Sequence, residues 1–323
     1  MSAPILLTGA TGNTGRVVAE GLRERGHAFV GLVRSEARRR QLEAADVDTV
    51  MGDFDDPRGL VSALRGFETA YLVCTPDELL IPREVAFIRA AREAGVRRIV
   101  KCSAFAADLL APTQNLRAHA AIEAELIHSG LEYTIIRPHG FMQSFTLFNW
   151  PMIEKVGVIS LPAGDGRMPL IDVRDVAEVV VRALTEPEHV GKIYDLTGPE
   201  AIDMYEQAAT FARHLGRPIR YIPGQDWQLL MLMKLLGVPP TPTEHVIKVF
   251  RMQREHAFHP TTTLAELGIT PITFDQFVVD YLAGRTGGGN SFEPPAGAVG
   301  KAIDLLTTAA MKLDLRRRGG SGR

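Results

Sequence analysis

The chain has 323 residues, of which 46% are hydrophobic and 23% are charged, as in ordinary globular proteins. Its formal net charge of -2 gives no general attraction to nucleic acid or to an anionic membrane, so we expect neither as a partner. The two cysteines, Cys74 and Cys102, exclude a disulfide framework and favour a reducing, cytoplasmic location. The most apolar later stretch, residues 229–238, is too short to span a bilayer and contains Lys234, so we expect no stable membrane insertion.

Short apolar runs alternate with helical patterns through the first 180 residues, and a further run follows. The predicted strands are residues 5–7, 28–33, 48–51, 69–74, 98–102, 133–137 and 192–196. The predicted helices include residues 15–25, 83–94, 118–128, 172–184 and 204–215, with Asp175 as the expected N-cap of the fourth. Because strands and helices alternate and the strands are continuously apolar, the sequence predicts an α/β fold with a parallel sheet buried on both faces.

A glycine-rich loop, Thr8–Gly15, joins the first predicted strand to the first predicted helix. In such a loop the first glycine permits a tight turn, the second lets the backbone approach a pyrophosphate, and the third lets helix and strand pack closely. The helix N-terminus adds unpaired N–H groups and the positive end of the helix dipole. The loop therefore predicts a dinucleotide-binding, Rossmann-type doubly wound sheet. The expected cofactor contacts in it are Thr8, Gly9, Thr11, Gly12, Asn13, Thr14 and Gly15.

The end of the second predicted strand indicates which dinucleotide binds. A chain that binds NAD usually places Asp or Glu there to hold the ribose 2′-hydroxyl, whereas this chain has Arg34. A guanidinium pairs with a 2′-phosphate through charge-assisted hydrogen bonds, so we predict NADPH rather than NADH. The alternative is that Arg34 only points into solvent. We interpret residues 38–40, all arginine, as a solvated helix face.

Two further strand ends lie at the edge of the sheet where ligands bind in this fold. Asp53 and Phe54 follow the third strand, at a position that borders the adenine, and Asp55 or Asp56 is also a candidate cap for a helix that begins at Pro57. We interpret the thiol at the end of the fourth strand as buried rather than reactive. The predicted cofactor contacts at that strand end are Cys74, Thr75 and Pro76.

Several short motifs spread over residues 3–285 are typical of one family. They are the segments 8–15, 33–34, 52–57, 101–103, 129–138, 171–177 and 194–201. Together they resemble the NmrA-like group of atypical short-chain dehydrogenases/reductases, near its triphenylmethane-reductase and quinone-reductase-like branch. The resemblance implies a Rossmann domain with a smaller C-terminal substrate domain. It also implies NAD(P)H-dependent reduction of quinones, dyes or natural-product intermediates, although other members bind the cofactor and have regulatory roles.

The resemblance also indicates what has replaced the usual catalytic pair. Most short-chain dehydrogenases use Tyr-x-x-x-Lys, in which the lysine lowers the tyrosine pKa. Here Asn115 falls on the tyrosine position and His119 on the lysine position, so the usual acid is absent. Ser103 occupies the position of the serine that steadies the substrate oxygen. We expect His119 to contact the cofactor or the substrate oxygen and to be a candidate proton donor, the alternative being an ordinary surface histidine.

The loop after the sixth strand borders the nicotinamide in relatives, which makes Pro138 and Phe141 expected cofactor contacts and His139 a second candidate proton donor. The aromatic stretch 141–150 and the helical region 227–236 are candidate walls of a pocket for a flat, apolar substrate, or are core packing. The nine histidines show no metal-ligand spacing, so no metal is expected.

The predicted domains follow from these assignments. Residues 1–150 form the NAD(P)-binding domain, to which 168–197 return, and residues 151–167 and 198–283 form the smaller substrate domain. Residues 284–323 are a linker and a tail helix that docks on the surface, serves as a dimerisation arm or contacts a membrane surface.

The main hypothesis from the sequence is an NADPH-dependent reductase of a conjugated, apolar acceptor such as a quinone, a dye or a polyketide-like compound. The alternatives are a non-catalytic NADP(H) sensor that binds a partner protein, and a redox-neutral isomerase or cyclase on the same fold. We expect a small apolar or aromatic substrate and a monomer or homodimer.

Overall fold

The computed structural model describes residues 3–235, 237–256 and 258–284. The predicted tail helix and most of the linker before it lie outside the described residues. Two compact units are present. The first comprises the chain up to Gln143, Met168–Ala201 and the segment that begins at Phe258, and the second comprises Ser144–Arg167 and Ile202–Ala257.

Nine strands and twelve α-helices make up the described chain. The strands are β1 (Ile5–Leu7), β2 (Phe29–Val33), β3 (Thr49–Met51), β4 (Thr69–Leu72), β5 (Arg98–Cys102), β6 (Glu132–Pro138), β7 (Val158–Ile159), β8 (Lys192–Leu196) and β9 (Arg220–Tyr221). The helices are α1 (Asn13–Glu24), α2 (Glu36–Glu43), α3 (Pro57–Leu64), α4 (Leu80–Ala94), α5 (Gln114–His128), α6 (Met142–Val156), α7 (Val173–Thr185), α8 (Met204–Leu215), α9 (Asp226–Leu235), α10 (Pro240–Glu255), α11 (Thr263–Glu266) and α12 (Phe274–Leu282).

The sheet of the first unit has seven strands in the order β3-β2-β1-β4-β5-β6-β8, and all of its strand pairs are parallel. The chain runs outward from β1 to β3 and then returns to β4 on the other side of β1. This reversal of strand order opens a crevice at the carboxyl ends of β1 and β4, where α/β sheets bind ligands. The predicted Rossmann-type parallel sheet is confirmed.

Helices cover both faces of this sheet. Leu7 and Val100 point to one face and pack in a core that includes α1 and α7, whereas their neighbours Leu6 and Ile99 point to the other face and pack with α3, α4 and α5. Successive side chains of a strand alternate between faces, so a strand that is buried on both sides must be apolar throughout. This requirement is why the apolar runs predicted the strands.

The segment from residue 258 differs from the predicted domain boundaries. We placed residues 198–283 in the smaller domain, but Leu264 and Ile269 belong to the core that α7 forms with the sheet. Arg182 on α7 donates to the Leu267 carbonyl at 2.8 Å. The sheet does not cover all of the apolar and charged side chains of α7. The chain that returns from residue 258 packs against the remaining apolar side chains and forms a hydrogen bond with Arg182.

The start of α7 corrects the predicted cap. Asp172, which is fully buried, caps the helix by accepting from the Arg174 backbone N–H at 2.9 Å. Asp175 lies in the first turn and accepts from the Ile272 backbone N–H at 2.9 Å. Aspartate is a common N-cap residue, so residue type alone does not distinguish Asp172 from Asp175. The chain that returns past α7 binds Asp175 through the Ile272 N–H, and Asp172 is the cap. Burial raises the pKa of Asp175 to about 7.

The second unit contains the two-stranded parallel sheet of β7 and β9 together with α8, α9 and α10. Its α8 begins with a reciprocal cap, in which Asp203 accepts from the Glu206 N–H and Glu206 accepts from the Asp203 N–H. A cavity of about 580 Å³ lies in this unit, and its lining includes Trp227, Leu230 and Ile247. Among the described residues, no helix combines the length and apolar character that crossing a membrane requires.

Candidate functional site

The glycine loop is fastened to the end of β4. The Thr8 hydroxyl accepts from the Val73 N–H at 2.8 Å and donates to the Val73 carbonyl at 2.9 Å, which ties β1 and β4 together at the strand-order reversal. Gly9 has φ of +60°, and a Cβ there would lie 2.7 Å from Val73 Cγ1. Gly9 therefore meets both conditions that favour glycine, a left-handed backbone and close contact with a neighbouring strand.

The N-terminus of α1 forms a cradle for an anion. Gly12 is the N-cap, it has no side chain to satisfy the first N–H groups, and the first turn contains no acidic residue. A Cβ on Gly15 would lie 2.2 Å from the Gly9 carbonyl oxygen, so only glycine allows the helix to start this close to the loop. Asn13 Oδ1 is buried and has no hydrogen-bond partner among the described residues. These features fit the pyrophosphate and the adjoining ribose hydroxyls of a dinucleotide.

The threonine at the end of the loop faces inward. Thr14 is buried, and its hydroxyl accepts from the Tyr71 hydroxyl at 3.2 Å. Its side chain therefore anchors α1 to β4, and its backbone N–H is the group that remains for a cofactor.

Arg34 differs from the arginines that follow it. It is exposed and forms no hydrogen bond or ion pair with any described residue. Ser35 then caps α2, and each of the following arginines is held along that helix. The pairs are Arg38 with Gln41 at 2.7 Å, Arg39 with Glu43 at 2.8 Å and Arg40 with Glu36 at 3.6 Å. The structure thus leaves Arg34 available for a 2′-phosphate and assigns the other three to the helix surface.

The loop after β3 is organised by its own carboxylates. Asp53 Oδ1 accepts from the Asp55 N–H at 3.0 Å, and Asp56 caps α3 at the Gly59 N–H, as predicted for a helix that begins at Pro57. The ring of Phe54 packs against Phe87 with centroids 5.2 Å apart. Phe54 therefore belongs in part to the core, and its expected contact with the adenine remains a prediction.

Arg83 on α4 joins the loops after β3 and β4. Its guanidinium binds Asp55 at 2.8 Å and Asp77 at 2.9 Å. Hydrogen bonding to Arg83 lowers the pKa of Asp55, to which the charge of Arg34 also contributes. The sequence patterns did not indicate this residue, because one of its two partners, Asp55, lies 28 residues away along the chain. The loops after β3 and β4 border the cofactor crevice, and Arg83 holds the two loops together.

The thiol at the end of β4 is protonated near neutral pH. Burial raises the pKa of Cys74 to about 11, which agrees with its interpretation as a packed rather than a reactive thiol. Thr75 and Pro76 are exposed beside it.

Ser103 is held by a carboxylate that the sequence patterns missed. Its hydroxyl donates to Glu123 Oε1 on α5, and both side chains are buried. Arg137 holds the same carboxylate through Nε at 3.0 Å. Because the Ser103 proton is committed to Glu123, the hydroxyl oxygen can only accept a further hydrogen bond. In this arrangement the Ser103 hydroxyl has no free proton to offer a substrate oxygen, and the expected contact of Ser103 with the substrate stays a prediction.

His119 lies on α5, one turn before Glu123, and is buried. Its Nδ1 is 3.4 Å from Nζ of Lys101, a fully buried lysine on β5. Lys101 forms an ion pair with Glu84 on α4 at 2.5 Å. Burial raises the pKa of Glu84, and the Lys101 ammonium opposes that shift. The sequence did contain a signal for this buried ion pair, because Lys101 is a charged residue within a strand that was predicted to be buried on both faces.

His139 lies in an aromatic environment. Its ring centroid is 5.1 Å from that of Phe105 and 5.2 Å from that of Phe258, and its Nδ1 is buried without a partner among the described residues. Burial lowers the pKa of His139 to about 4, so the ring is neutral near pH 7. This disfavours His139 as a proton donor. Of its neighbours, Pro138 is buried at the end of β6, and Phe141 packs against the core.

Comparisons with known proteins agree with this geometry. The NAD(P)H-binding family matches residues 9–187, more than half of the chain. The NAD(P)H azoreductase of Xenophilus azovorans is 35% identical over 237 residues, which are 73% of this chain and 82% of that protein. The (4-alkanoyl-5-oxo-2,5-dihydrofuran-3-yl)methyl phosphate reductase of Streptomyces griseus is 38% identical over 259 residues, which are 78% of this chain and 88% of that protein.

A solved structure shows the same fold with a cofactor. The NADPH-dependent quinone oxidoreductase of Escherichia coli, in complex with NADPH, matches with a TM-score of 0.77 at 27% identity. The match covers 86% of this chain and 99% of that chain. The chain therefore belongs to the NAD(P)H-binding family, and within it to the NmrA-like atypical short-chain dehydrogenases/reductases.

Proposed function

We propose that this protein is an NADPH-dependent reductase that transfers a hydride to a conjugated, largely apolar acceptor such as a quinone, an azo or triarylmethane dye, or a polyketide-like compound. The observation that carries the proposal is the cradle at the start of α1, where the backbone of Gly9, Gly12 and Gly15 leaves room for a pyrophosphate. The azoreductase, the phosphate-ester reductase and the quinone oxidoreductase described above support reduction over the sensor and isomerase alternatives.

The residues expected to hold the cofactor lie on successive strand ends. The glycine loop and Asn13 would bind the pyrophosphate and its ribose, and Arg34 would bind the 2′-phosphate that distinguishes NADPH from NADH. When bound, NADPH supplies the hydride from the C4 position of its nicotinamide. Ser103, which is restricted to accepting, suits an N–H donor such as the carboxamide of the nicotinamide.

The residues expected to act on the acceptor are fewer. For a quinone or another carbonyl acceptor, His119 is the candidate to donate a hydrogen bond to the acceptor oxygen, because Ser103 has no free proton. His139 would provide an apolar wall together with Phe105. Holding the two reactants in contact contributes much of the acceleration in such reactions.

The wider setting follows from the same features. We propose a cytoplasmic monomer or homodimer that acts on a small aromatic molecule. Support comes from Cys74 and Cys102, which are both free thiols, and from the reductases among the relatives.

The test is NADPH oxidation by the purified full chain with a panel of quinones, azo dyes and triarylmethane dyes. We expect turnover of at least one class, with a higher kcat/KM for NADPH than for NADH. Tight NADPH binding without turnover on the whole panel would contradict the proposal and would favour a cofactor-sensing role.

A further inference from the structure

Asp55 is a carboxylate at an edge of the sheet where a phosphate is expected to bind. It lies in the loop after β3, whereas Arg34 follows β2, the neighbouring strand. The two strands are parallel, with Val33 opposite Met51, so both of their ends lead to the same edge of the sheet. A carboxylate there would repel a phosphate and would compete with it for the arginine. A site for NADPH therefore works better if this carboxylate is already paired.

Arg83 pairs with this carboxylate through both of its oxygens. Nε of Arg83 lies 2.9 Å from Asp55 Oδ1, and Nη2 lies 2.8 Å from Asp55 Oδ2. This is the bidentate arrangement that makes guanidinium–carboxylate pairs strong and fixes their geometry. The side chain of Arg83 is only 15% exposed, whereas that of Asp55 is 52% exposed. A largely buried cation thus holds an exposed anion that would otherwise be free to turn towards other cations.

Asp77 fixes Arg83 in this position. Its Oδ2 accepts from Nη1 of Arg83 at 2.9 Å, and its Oδ1 accepts from the Leu79 backbone N–H at 2.9 Å. Arg83 lies in the first turn of α4, directly after the loop that contains Asp77. All three guanidinium nitrogens are therefore engaged by two loops, which keeps the cation in one orientation.

Arg34 is close enough to Asp55 for their charges to interact. The pKa of Asp55 lies below its ordinary value, chiefly because of the hydrogen bonds from Arg83, and the charge of Arg34 contributes to the same shift. Arg34 nevertheless forms no hydrogen bond or ion pair with any described residue, while Asp55 is bound to Arg83. This choice of partners leaves available the arginine that a 2′-phosphate needs.

We propose that Arg83 is a positioning residue for NADPH, which holds Asp55 so that this carboxylate neither pairs with Arg34 nor repels the 2′-phosphate. The inference rests on the proposed function, because it takes Arg34 as the group that binds the 2′-phosphate. Arg83 acts through Asp55 and need not touch the cofactor. NADH has no 2′-phosphate, so Arg83 contributes to the preference for NADPH and not to the binding of NADH.

The test is the affinity of Arg83→Met for the two cofactors, measured by fluorescence titration of the full chain with NADPH and with NADH. We expect the affinity for NADPH to fall at least fivefold, since an exposed ion pair between Asp55 and Arg34 is itself worth up to about fivefold and repulsion of the phosphate adds to it. The affinity for NADH should stay within about threefold. An unchanged affinity for NADPH, or equal losses for the two cofactors, would overturn the proposal.

Removal of the freed carboxylate separates charge from loop structure. In the Asp55→Asn background, Arg83→Met should lower the affinity for NADPH by no more than about twofold, because no carboxylate remains to compete for Arg34. Raising the salt from about 0.01 M to about 1 M, which shortens the screening length about tenfold, should narrow the difference between Arg83→Met and wild type. A loss as large in the Asp55→Asn background as in wild type would assign Arg83 a merely structural role.

Arg89→Met is the matched control. Arg89 lies on the same helix, but its partner is Glu125 on α5, at 2.9 Å, rather than a loop of the crevice. Removing it deletes one positive charge from α4 and leaves Asp55 paired. We expect both cofactor affinities to stay within about twofold of wild type. A loss of NADPH affinity equal to that in Arg83→Met would show that net charge alone is responsible, and would contradict the proposal.

The outcomes distinguish this proposal from the proposed function. If the wild-type protein binds NADPH but reduces no acceptor of the panel, the reductase function fails, while the titrations still decide the role of Arg83. If an acceptor is reduced and Arg83→Met binds NADPH as the wild type does, the role of Arg83 is rejected and the reductase function stands. A wild-type protein that prefers NADH would overturn both.

Discussion

Gly15 has very little room beside it, because a Cβ would approach the Gly9 carbonyl oxygen to 2.2 Å. Since that oxygen belongs to the loop itself, relief would have to come from movement of the backbone that forms the cradle. The residue thus couples two properties that are often independent, the packing of α1 on the sheet and the shape of the anion site.

Replacement of Gly15 by alanine should therefore weaken NADPH binding by at least tenfold and destabilise the fold, by about 1–3 kcal/mol as for other overpacked sites. Fluorescence titration with NADPH and urea unfolding would measure the two effects. Gly21→Ala is the matched control, because it lies in the same helix and its Cβ would meet the end of the Val181 side chain at 3.1 Å. Equal NADPH affinity in Gly15→Ala and wild type would contradict the assignment of the loop.

Arg34 is the residue on which the choice of cofactor depends. Arg34→Ser should lower kcat/KM for NADPH by at least tenfold and leave the value for NADH within about threefold, because only NADPH carries the 2′-phosphate. Steady-state kinetics with both cofactors is the measurement. Arg38→Ser, which removes an arginine already paired with Gln41, should change neither value. Parallel losses for both cofactors in Arg34→Ser would show that Arg34 does not contact the 2′-phosphate.

At the scale of elements, the start of α7 concentrates buried charge. Asp172 is fully buried and pairs with Arg174 at 2.9 Å, which in turn pairs with Asp280 on α12 at 2.7 Å. Asp175 forms no ion pair with any described residue, and burial is the main reason that its pKa rises from 3.8 to about 7, although the charge of Arg174 acts in the opposite direction. The start of α7 therefore contains one carboxylate that is paired with a cation, Asp172, and one whose raised pKa opposes ionisation, Asp175.

Asp175 should make stability depend on pH in a defined direction. Because its folded-state pKa is raised, its contribution is fully present below about pH 3.8 and is lost as the pH rises through about 7. Asp175→Asn keeps an acceptor for the Ile272 N–H but removes the charge. We expect the variant to gain roughly 2 kcal/mol relative to wild type at pH 8 compared with pH 5, because only the part of the pKa shift between pH 5 and about 7 falls within that interval. Urea unfolding at both pH values is the test, and a difference that does not vary with pH would reject it.

The sheet was predictable because each strand has a local signature. A strand buried on both faces must be apolar, and the run Ile5–Leu7 followed by a glycine loop specifies both a strand and its ligand-binding end. The charged network was not predictable in the same way. Lys101 and Glu84 are 17 residues apart, and their meeting depends on the rotation of α4 over β5, which no local pattern encodes. Asp172 and Asp175 likewise both suit a cap, and a contact with residue 272 separates them.

At the scale of the whole molecule, the match with a relative spans nearly all of that relative and leaves part of this chain without a counterpart in it. The quinone oxidoreductase is covered over 99% of its chain by 86% of this one. The returning segment that ends with α12 is needed to complete the core around α7, through Leu264 and Ile269. Residues beyond Gly284 have no counterpart in the resemblance noted from the sequence.

A chain that ends at Gly284 should therefore fold and bind NADPH within about threefold of the full chain, since the described core of the first unit is retained. Circular dichroism and NADPH titration of the shortened protein would show this. A shorter chain that ends at Phe258 is the informative comparison and should fail to bind. Loss of binding in the chain that ends at Gly284 would assign the tail a part in the cofactor unit.

The return of the chain to α7 has a consequence for synthesis on the ribosome. The glycine loop emerges first, yet Arg174 and the apolar face that receives Leu264 and Ile269 stay uncovered until nearly all of the described chain has been translated. The nascent protein thus carries a cofactor loop long before it carries a finished cofactor domain. Competence to bind NADPH should arise late and abruptly, after the second unit has already been released from the exit tunnel.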